Sequence, residues 1–325
     1  PLLGRFGRVE VSMPGGCAIG DRPVDIHLRG LEALGAKIRL ANGYIVAEAN
    51  GGLKGADIFL GGSFGSTVLG TANVLMAAVL AKGRTVIECA ACEPEIADLA
   101  HFLNEMGAKI RGIGSPRLVI EGVDELEAVD YEVISDRIEA GTFMVGAAIT
   151  AGELTLENCR MDDMMAAVDK LRSIGVIVEK SNGGCVVSRI EPIRTADITT
   201  QPHPGFPTDL QAQFMALLAL GDGNSVVIEK IFPDRYMHVA ELNRMGANLR
   251  KEGNVVIVAG VNKLVAAPVM ASDLRASAAL VLAGLAAEGE TVVNRVYHID
   301  RGYERIEERL NRVGGKVIRE KAKGV

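Results

Sequence analysis

The sequence has 325 residues, of which 48% are hydrophobic and 4% aromatic, and its 35 basic and 41 acidic side chains give a net charge of −6. This length and composition are typical of a globular protein with a sizeable core and about two domains. The negative charge and the lack of a polybasic run exclude nucleic acid and membrane surfaces as expected partners. The longest apolar runs, 68–81 and 276–287, are shorter than the roughly 20 residues of a membrane span and predict buried helices.

The first polar segment, 13–23, is rich in glycine and proline and predicts a loop. It places Cys17 and Arg22 close together on that loop. Two interpretations are open: a reactive thiol beside a guanidinium, or a thiol buried in a tight turn.

One pattern recurs along the chain: an amphipathic segment, a glycine, and an apolar alternation. The recurring glycines lie about 70 residues apart, and they are Gly35, Gly107, Gly175, Gly246 and Gly314. Each predicts a helix that ends at glycine, followed by a strand.

The rest of each unit is predicted from the same spacing. Asn42-Gly43 predicts a hairpin between strands 36–40 and 44–47. A polar segment, a buried helix, a glycine turn and a further strand follow, and the further strands are 85–88, 154–157, 225–229 and 291–294. The repeat therefore predicts an α/β protein whose units have two helices and about four strands each.

The five cysteines form an odd count and favour a reducing cytoplasm. Cys89 and Cys92 have C-x-x-C spacing, but no second pair or nearby histidine completes a zinc site, so no metal is expected.

Polar residues collect before the predicted helices. Asp136, Asp162, Asp209 and Asp273 each occupy a position that predicts a helix N-cap, although strand-to-helix junctions also suit anion binding.

Four segments together resemble a known family. They are 13–23, 206–213, 273–277 and 297–305. They are similar to the UDP-N-acetylglucosamine 1-carboxyvinyltransferase family of enolpyruvyl transferases, and the resemblance spans essentially the whole chain. Its most specific part is Pro-Gly-Gly-Cys-Ala-Ile-Gly followed two residues later by Arg-Pro.

The resemblance implies a two-domain inside-out α/β barrel, the enolpyruvyl transferase fold, with helices inside and sheets outside. It implies a first domain at 1–134, which carries the Cys17 loop as a lid over substrate, and a second domain at 135–325. The family has six units, whereas this sequence shows five marker glycines. We therefore expect the N-terminal part of the first unit to be absent, which leaves the activity of this chain open.

The activity implied is transfer of the enolpyruvyl group of phosphoenolpyruvate to the 3′-hydroxyl of UDP-N-acetylglucosamine, with release of phosphate. No cofactor and no metal are implied. The resemblance assigns Cys17 as general acid, Asp209 as general base and Cys17 as the target of fosfomycin. It assigns substrate binding to Arg22, Pro23, Val24, Asp25, Ile26, Ser63, Phe64, Gly65, Ile231, Arg275 and Arg301.

Some positions and functions stay open. The loop at 61–67 is one residue shorter than in many relatives, which puts its nucleotide contacts in question. Asp136, Arg137 and Glu139 serve either substrate or the hinge, and His238 and His298 serve either packing or the site. The alternative functions are 5-enolpyruvylshikimate-3-phosphate synthase, an inactive nucleotide-sugar-binding fragment and, with less support, an RNA 3′-phosphate cyclase. Oligomeric state is not predicted.

Overall fold

A computed structural model describes residues 1–13, 15, 19, 24–63 and 65–320. Their contacts form two compact units. Unit 1 contains the described residues of 1–16 and 24–134 together with 202–204, and unit 2 contains residue 19, 135–201 and the described residues from 205 onward. The predicted domain boundary after residue 134 stays a prediction.

Unit 1 contains helices and short strands in mixed order. They are α1 (Leu2–Phe6), β1 (Arg8–Ser12), α2 (Asp25–Ala33), β2 (Lys37–Ala41), β3 (Tyr44–Glu48), β4 (Asp57–Phe59), α3 (Val68–Ala78), β5 (Arg84–Glu88), α4 (Pro94–Glu105), β6 (Lys109–Arg111) and β7 (Arg117–Glu121).

The strands of unit 1 form a three-stranded sheet in the order β1-β3-β2 and a four-stranded sheet in the order β4-β5-β7-β6. The β4–β5 pair is parallel and the others are antiparallel. Helix α3 packs against α1, α2 and α4. Its residues Val74 and Leu75 are fully buried in the unit 1 core, as expected for a central apolar helix.

Unit 2 repeats this organisation. Its elements are α5 (Arg137–Ile149), β8 (Glu153–Glu157), a 3₁₀ helix (Met161–Met164), α6 (Met165–Ser173), β9 (Ile177–Ser181), β10 (Gly184–Ser188), β11 (Ile198–Thr199), a 3₁₀ helix (Thr208–Leu210), α7 (Gln211–Leu218), β12 (Asn224–Ile228), α8 (Met237–Arg244), β13 (Asn248–Glu252), β14 (Val255–Ala259), β15 (Pro268–Met270), α9 (Leu274–Ala286), β16 (Val292–Asn294), a 3₁₀ helix (Val296–Arg301) and α10 (Ile306–Arg312).

The sheets of unit 2 have the orders β8-β10-β9, β11-β12-β14-β13 and β15-β16. Helices α5, α7 and α9 pack on one another, and all eight residues of α7 are buried. The same helices contact strands of all three sheets: α5 contacts β8 and β10, α7 contacts β12, and α9 contacts β16. Buried helices with sheets packed against them agree with the helices-inside arrangement that the resemblance implied.

The marker glycines have the backbone that a helix C-terminus requires. Their φ angles are 91° at Gly35, 101° at Gly107, 95° at Gly175, 85° at Gly246 and 95° at Gly314. Only the left-handed region gives such values, and glycine adopts it without steric cost. The Asn42-Gly43 hairpin is also confirmed, because both φ angles are positive and β2 pairs with β3 around it.

Beside three of the marker glycines, an asparagine side chain makes two hydrogen bonds to the backbone of the residue six positions later. Asn104 accepts from the amide of Ile110 and donates to its carbonyl, at 2.8 and 2.9 Å. Asn243 and Leu249 repeat the pair, as do Asn311 and Val317.

The strand expected after Gly314 does not form within 315–320, so that prediction is wrong for the described residues.

The capping predictions divide evenly. Asp136 accepts from the amides of Ile138 and Glu139, and Asp273 from those of Arg275 and Ala276, so both cap their helices. Asp162 and Asp209 lie inside 3₁₀ helices whose N-cap residues make no side-chain cap, so capping is wrong for these two. The Asp209 carboxylate is therefore available for other contacts.

Candidate active site

Asp209 is held by the short 3₁₀ helix Thr208–Leu210 that leads into α7. Pro207 precedes this turn as its N-cap residue and has an extended backbone. The Asp209 side chain keeps 40% of its surface exposed, whereas Leu210 beside it is fully buried. Leu210 therefore packs this turn into the core, while the Asp209 carboxylate stays partly exposed.

Arg235 makes the shortest ion pair with that carboxylate. Its Nη1 lies 2.6 Å from Asp209 Oδ1 and 3.1 Å from the hydroxyl oxygen of Thr208. Its Nη2 lies 3.7 Å from Oδ1 of Asp273, the N-cap of α9. Because the Arg235 side chain is 7% exposed, these acidic partners compensate a charge that is almost wholly withdrawn from water.

Arg275 approaches the other carboxylate oxygen. Its Nε lies 3.6 Å from Asp209 Oδ2, and its guanidinium lies 5.2 Å from the centre of the Tyr303 ring, within cation–π range. Arg275 is 8% exposed, yet its Nε and Nη1 have no hydrogen-bond partner among the described residues. Buried hydrogen-bond donors that lack a partner favour the binding of an anion, which would accept their hydrogen bonds.

The two arginines determine the ionisation of Asp209. Burial alone would raise its pKa, but the charges of Arg235 and Arg275 outweigh burial and hold the pKa of Asp209 below its ordinary value. Asp209 is therefore an ionised carboxylate at neutral pH.

A second carboxylate, Glu229, organises the backbone beside this pair. It is fully buried, and its oxygens accept from the hydroxyls of Thr200 and Thr208 at 2.7 and 2.9 Å. It also accepts from the amides of Ile231 and Phe232 at 2.7 and 3.0 Å. Glu229 thus ties the Asp209 turn, through Thr208, to the segment after β12.

Within unit 1, the predicted nucleotide-sugar residues meet at the start of α2. Val24 is the N-cap, and Asp25 and Ile26 begin the helix. Ile26 lies so close to Gly62 that a Cβ there would fall 2.6 Å from its Cδ1. Gly62 and Gly65 exchange backbone hydrogen bonds of 2.8 and 3.1 Å around Ser63, so the structure brings these residues together.

The remaining predicted site residues are Cys17, Arg22, Pro23, Phe64 and Arg301. Cys17, Arg22, Pro23 and Phe64 lie outside the described residues, as does most of the predicted lid. Arg301 ends the 3₁₀ helix Val296–Arg301, two residues before Tyr303.

Sequence reasoning missed the central position of Arg235 and the role of Glu229. Arg235 follows Asp234 in a polar segment before a marker helix, which was a usable signal. Glu229 ends a predicted strand, where nothing in the sequence distinguishes it from an exposed residue.

His238 is a buried histidine in α8. It is 1% exposed, and neither ring nitrogen has a hydrogen-bond partner among the described residues. Burial lowers its pKa to about 4, with Asp273 opposing and Arg235 reinforcing the shift. The imidazole is therefore neutral at pH 7.

Among the described residues, no group of three or more histidine, cysteine, aspartate or glutamate side chains is arranged to hold a metal ion. No helix there has both the length and the apolar surface needed to cross a bilayer.

Comparisons with known proteins agree with the family that the sequence resembles. The family model of EPSP synthase (3-phosphoshikimate 1-carboxyvinyltransferase) matches residues 1–310. The UDP-N-acetylglucosamine 1-carboxyvinyltransferase of Methylacidiphilum infernorum is 54% identical over 319 residues, covering 98% of this chain and 76% of that protein. The protein of the same name from Desulfovibrio desulfuricans is 55% identical over 323 residues, covering 99% and 76%.

Solved structures show the same fold. The enolpyruvyl transferase NikO from Streptomyces tendae superposes with a TM-score of 0.85 at 24% identity, covering 97% of this chain and 74% of that one. EPSP synthase from Acinetobacter baumannii gives a TM-score of 0.69 at 20% identity, covering 94% and 74%. The predicted enolpyruvyl transferase fold is thereby confirmed. With more than half of its residues identical to these relatives along nearly its whole length, the chain belongs to the UDP-N-acetylglucosamine 1-carboxyvinyltransferase family.

Proposed function

We propose that this chain transfers the enolpyruvyl group of phosphoenolpyruvate to the 3′-hydroxyl of UDP-N-acetylglucosamine and releases phosphate. Family membership supports the reaction class. The observation that carries the proposal is the ionised Asp209 carboxylate beside the buried Arg275, whose Nε and Nη1 lack hydrogen-bond partners among the described residues. A base and an anion-binding donor are what this addition requires in one place.

Addition moves two protons. The sugar hydroxyl loses one as its oxygen bonds to the central carbon of phosphoenolpyruvate, and the methylene carbon gains another. We assign the first proton to Asp209 and the second to the Cys17 thiol. A carboxylate with a lowered pKa is a weak base, but the hydroxyl becomes strongly acidic as its oxygen forms the new bond. A weak, well-positioned base is therefore sufficient.

The tetrahedral adduct then loses phosphate. This elimination removes a proton from the new methyl group and re-forms the double bond, so Cys17 acts in reverse as the proton acceptor. No redox step occurs, and we propose that no cofactor is required.

Guanidinium groups balance the negative charge of phosphoenolpyruvate. We assign its carboxylate and phosphate to Arg22, Arg275 and Arg301. Arg235 has its guanidinium committed to Asp209, Thr208 and Asp273, so its proposed role is to keep the base ionised. Arg275 is the better anion ligand, because its buried Nη1 has no hydrogen-bond partner among the described residues and its Nε approaches Asp209 only to 3.6 Å.

The nucleotide sugar is assigned to two groups of residues. The first is Arg22, Pro23, Val24, Asp25 and Ile26, with Ser63, Phe64 and Gly65. The second is Ile231, whose amide already donates to Glu229 at 2.7 Å. Only its carbonyl and side chain are then available to a ligand.

The cellular role follows from the reaction. We propose that the chain acts in the cytoplasm at the first committed step of peptidoglycan precursor synthesis, and so contributes to cell-wall formation, cell shape and division. We also propose that fosfomycin modifies Cys17, and that residues 1–134 and 135–325 form the two domains of the family.

One alternative has a specific observation behind it, because the matching family model carries the name of EPSP synthase. The acceptor decides between the two. The chain would be incubated with phosphoenolpyruvate and either UDP-N-acetylglucosamine or shikimate 3-phosphate, and the products identified by mass spectrometry. Enolpyruvyl product from the nucleotide sugar alone supports the proposal, and product from shikimate 3-phosphate alone favours the alternative. An inactive nucleotide-sugar-binding fragment would bind the sugar nucleotide in calorimetry and give neither product.

A further inference from the structure

Three buried polar side chains adjoin the Asp209 and Arg275 pair. Thr142, Gln213 and Tyr303, called the Gln213 cluster here, are each at most 1% exposed. They come from α5, α7 and the segment just before α10. Fully buried polar groups are costly unless they are hydrogen-bonded, so their contacts define what the cluster is arranged to do.

The hydrogen bonds of the cluster can be assigned a direction. The Thr142 hydroxyl donates to the carbonyl of Ile138 at 2.8 Å, which uses its only hydrogen. The Tyr303 hydroxyl, 2.8 Å away, must therefore donate to Thr142. Burial raises the pKa of Tyr303, although Arg275 and the hydrogen bonds oppose it, so this hydroxyl keeps its proton at neutral pH.

The amide of Gln213 connects the cluster to the base. Its Nε2 donates to the backbone carbonyl of Asp209 at 2.9 Å and to the Thr142 hydroxyl oxygen at 3.0 Å, with the Tyr303 oxygen at 3.4 Å. A carbonyl can only accept, so the orientation of the Gln213 amide is determined. The Gln213 side chain thus fixes the main chain of Asp209, the residue that carries the carboxylate.

The ring of Tyr303 connects the same cluster to Arg275. The guanidinium lies 5.2 Å from the ring centre. One side chain, Tyr303, therefore supports the arginine with its ring and reaches the Asp209 backbone through its hydroxyl and Gln213.

We propose that the Gln213 cluster consists of positioning residues, which hold the Asp209 carboxylate and the Arg275 guanidinium at the separation that the reaction uses. The proposal rests on the proposed function for the meaning of that separation. In the structure the separation is 3.6 Å between Asp209 Oδ2 and Arg275 Nε. None of the three side chains needs to touch substrate.

Paired substitutions test each part of the cluster. Thr142→Val removes the hydroxyl but keeps the shape, whereas Thr142→Ser keeps the hydroxyl. Tyr303→Phe removes the hydroxyl but keeps the ring beneath Arg275. We expect Thr142→Val and Tyr303→Phe to lower kcat by about 10- to 100-fold, because misplacing reacting groups by about 1 Å has effects of that size. Thr142→Ser should restore most of kcat.

Two controls separate positioning from general stability. Thr150→Val removes a hydroxyl at the other end of α5 that makes the same kind of bond, to the carbonyl of Gly146 at 2.8 Å. Tyr131→Phe removes a hydroxyl in unit 1 that bonds Asp98 at 2.8 Å. Neither should lower kcat, whatever the change in melting temperature.

Crystal structures of Thr142→Val and Tyr303→Phe give a readout that does not depend on turnover. The proposal predicts a changed separation between Asp209 Oδ2 and Arg275 Nε in both variants and in neither control. An unchanged separation would overturn it, as would a kcat no lower than that of Thr150→Val at equal melting temperature. If the wild-type chain released no phosphate at all, the proposed function would fail, and the measured separations would still decide the role of the cluster.

Discussion

Arg235 Nη1 lies 2.6 Å from Asp209 Oδ1, in a side chain that is 7% exposed. Its other terminal nitrogen faces Asp273, which is bound in turn to the backbone amides at the start of α9. Arg235 is therefore fixed in place, whereas the buried Nη1 of Arg275 has no hydrogen-bond partner in the part of the chain that the structure describes. This difference assigns the two arginines different tasks and gives different expectations for their substitution.

Replacing Arg235 should act on the ionisation of the base. In Arg235→Gln the charge that most strongly lowers the pKa of Asp209 is lost, so that pKa should rise and the acid limb of the kcat/KM profile should move to higher pH. The profile would be measured beside that of Arg250→Gln, which removes an exposed ion pair with Glu252. An acid limb that moved equally in both variants would contradict the assignment.

Replacing Arg275 should act on the substrate anion. We expect Arg275→Ala to cost about 2–4 kcal/mol of transition-state stabilisation, because it removes a buried charge aimed at a developing charge. That corresponds to roughly 30- to 900-fold in kcat/KM. Arg250→Ala, at the exposed pair, should cost less than about 1 kcal/mol. Steady-state kinetics at varied phosphoenolpyruvate would measure both, and equal losses would refute the specific role of Arg275.

Glu229 should be a stability residue. Its four donors include two backbone amides, so Glu229→Gln places an NH₂ group where an acceptor is needed. We expect a loss of about 1–3 kcal/mol in the free energy of unfolding, the typical cost of an unsatisfied buried group. Urea unfolding would measure it, with the exposed Glu252→Gln as the control. A loss no larger than that of the control would show that Glu229 does not tie these segments together.

His238 should make stability depend on pH. Its pKa is about 4 in the folded protein, against an ordinary value of 6.5. Between these values the unfolded chain binds a proton that the folded chain excludes, so stability falls as pH decreases from about 6.5 to about 4. The full effect is on the order of 3 kcal/mol. The charges that act on the imidazole are those of Asp273 and Arg235, and the centre of the Tyr236 ring lies 6.2 Å from its centre.

His238→Leu should remove this dependence. Unfolding free energies of both proteins would be measured from pH 8 to pH 4, with the difference at pH 8 as the reference. The variant should gain stability relative to wild type as the pH falls. Parallel curves over the whole range would mean that His238 does not exclude a proton in the folded state.

Local rules predicted the repeat well. Glycine at a helix end and an Asn-Gly hairpin depend on the conformational freedom of single residues, so the helices ending before Gly35 and Gly107 could be placed from sequence. Gly152, the glycine of the predicted turn between α5 and β8, shows the limit of the rule. There the positive φ belongs to its neighbour Ala151, at 53°, because a turn constrains the local backbone and not one particular residue.

The contacts of the site were harder to predict. Thr142 and Tyr303 are 161 positions apart in the chain, and Gln213 is 71 positions from Thr142. No local periodicity relates such residues. Asp209 and Asp273 both looked like N-caps, and only the folded chain shows that Asp273 caps a helix while Asp209 faces two arginines.

The most direct test of the central claim is phosphate release from phosphoenolpyruvate in the presence and absence of UDP-N-acetylglucosamine. It would be measured for this chain and for Asp209→Asn and Cys17→Ser. We predict release that depends on the nucleotide sugar and that falls by about 100-fold or more in each variant, the size expected for loss of a general base or acid. Sugar-dependent release that persisted in Asp209→Asn at the wild-type rate would contradict the account, because proton removal would then not depend on the carboxylate that Arg235 and Arg275 hold ionised.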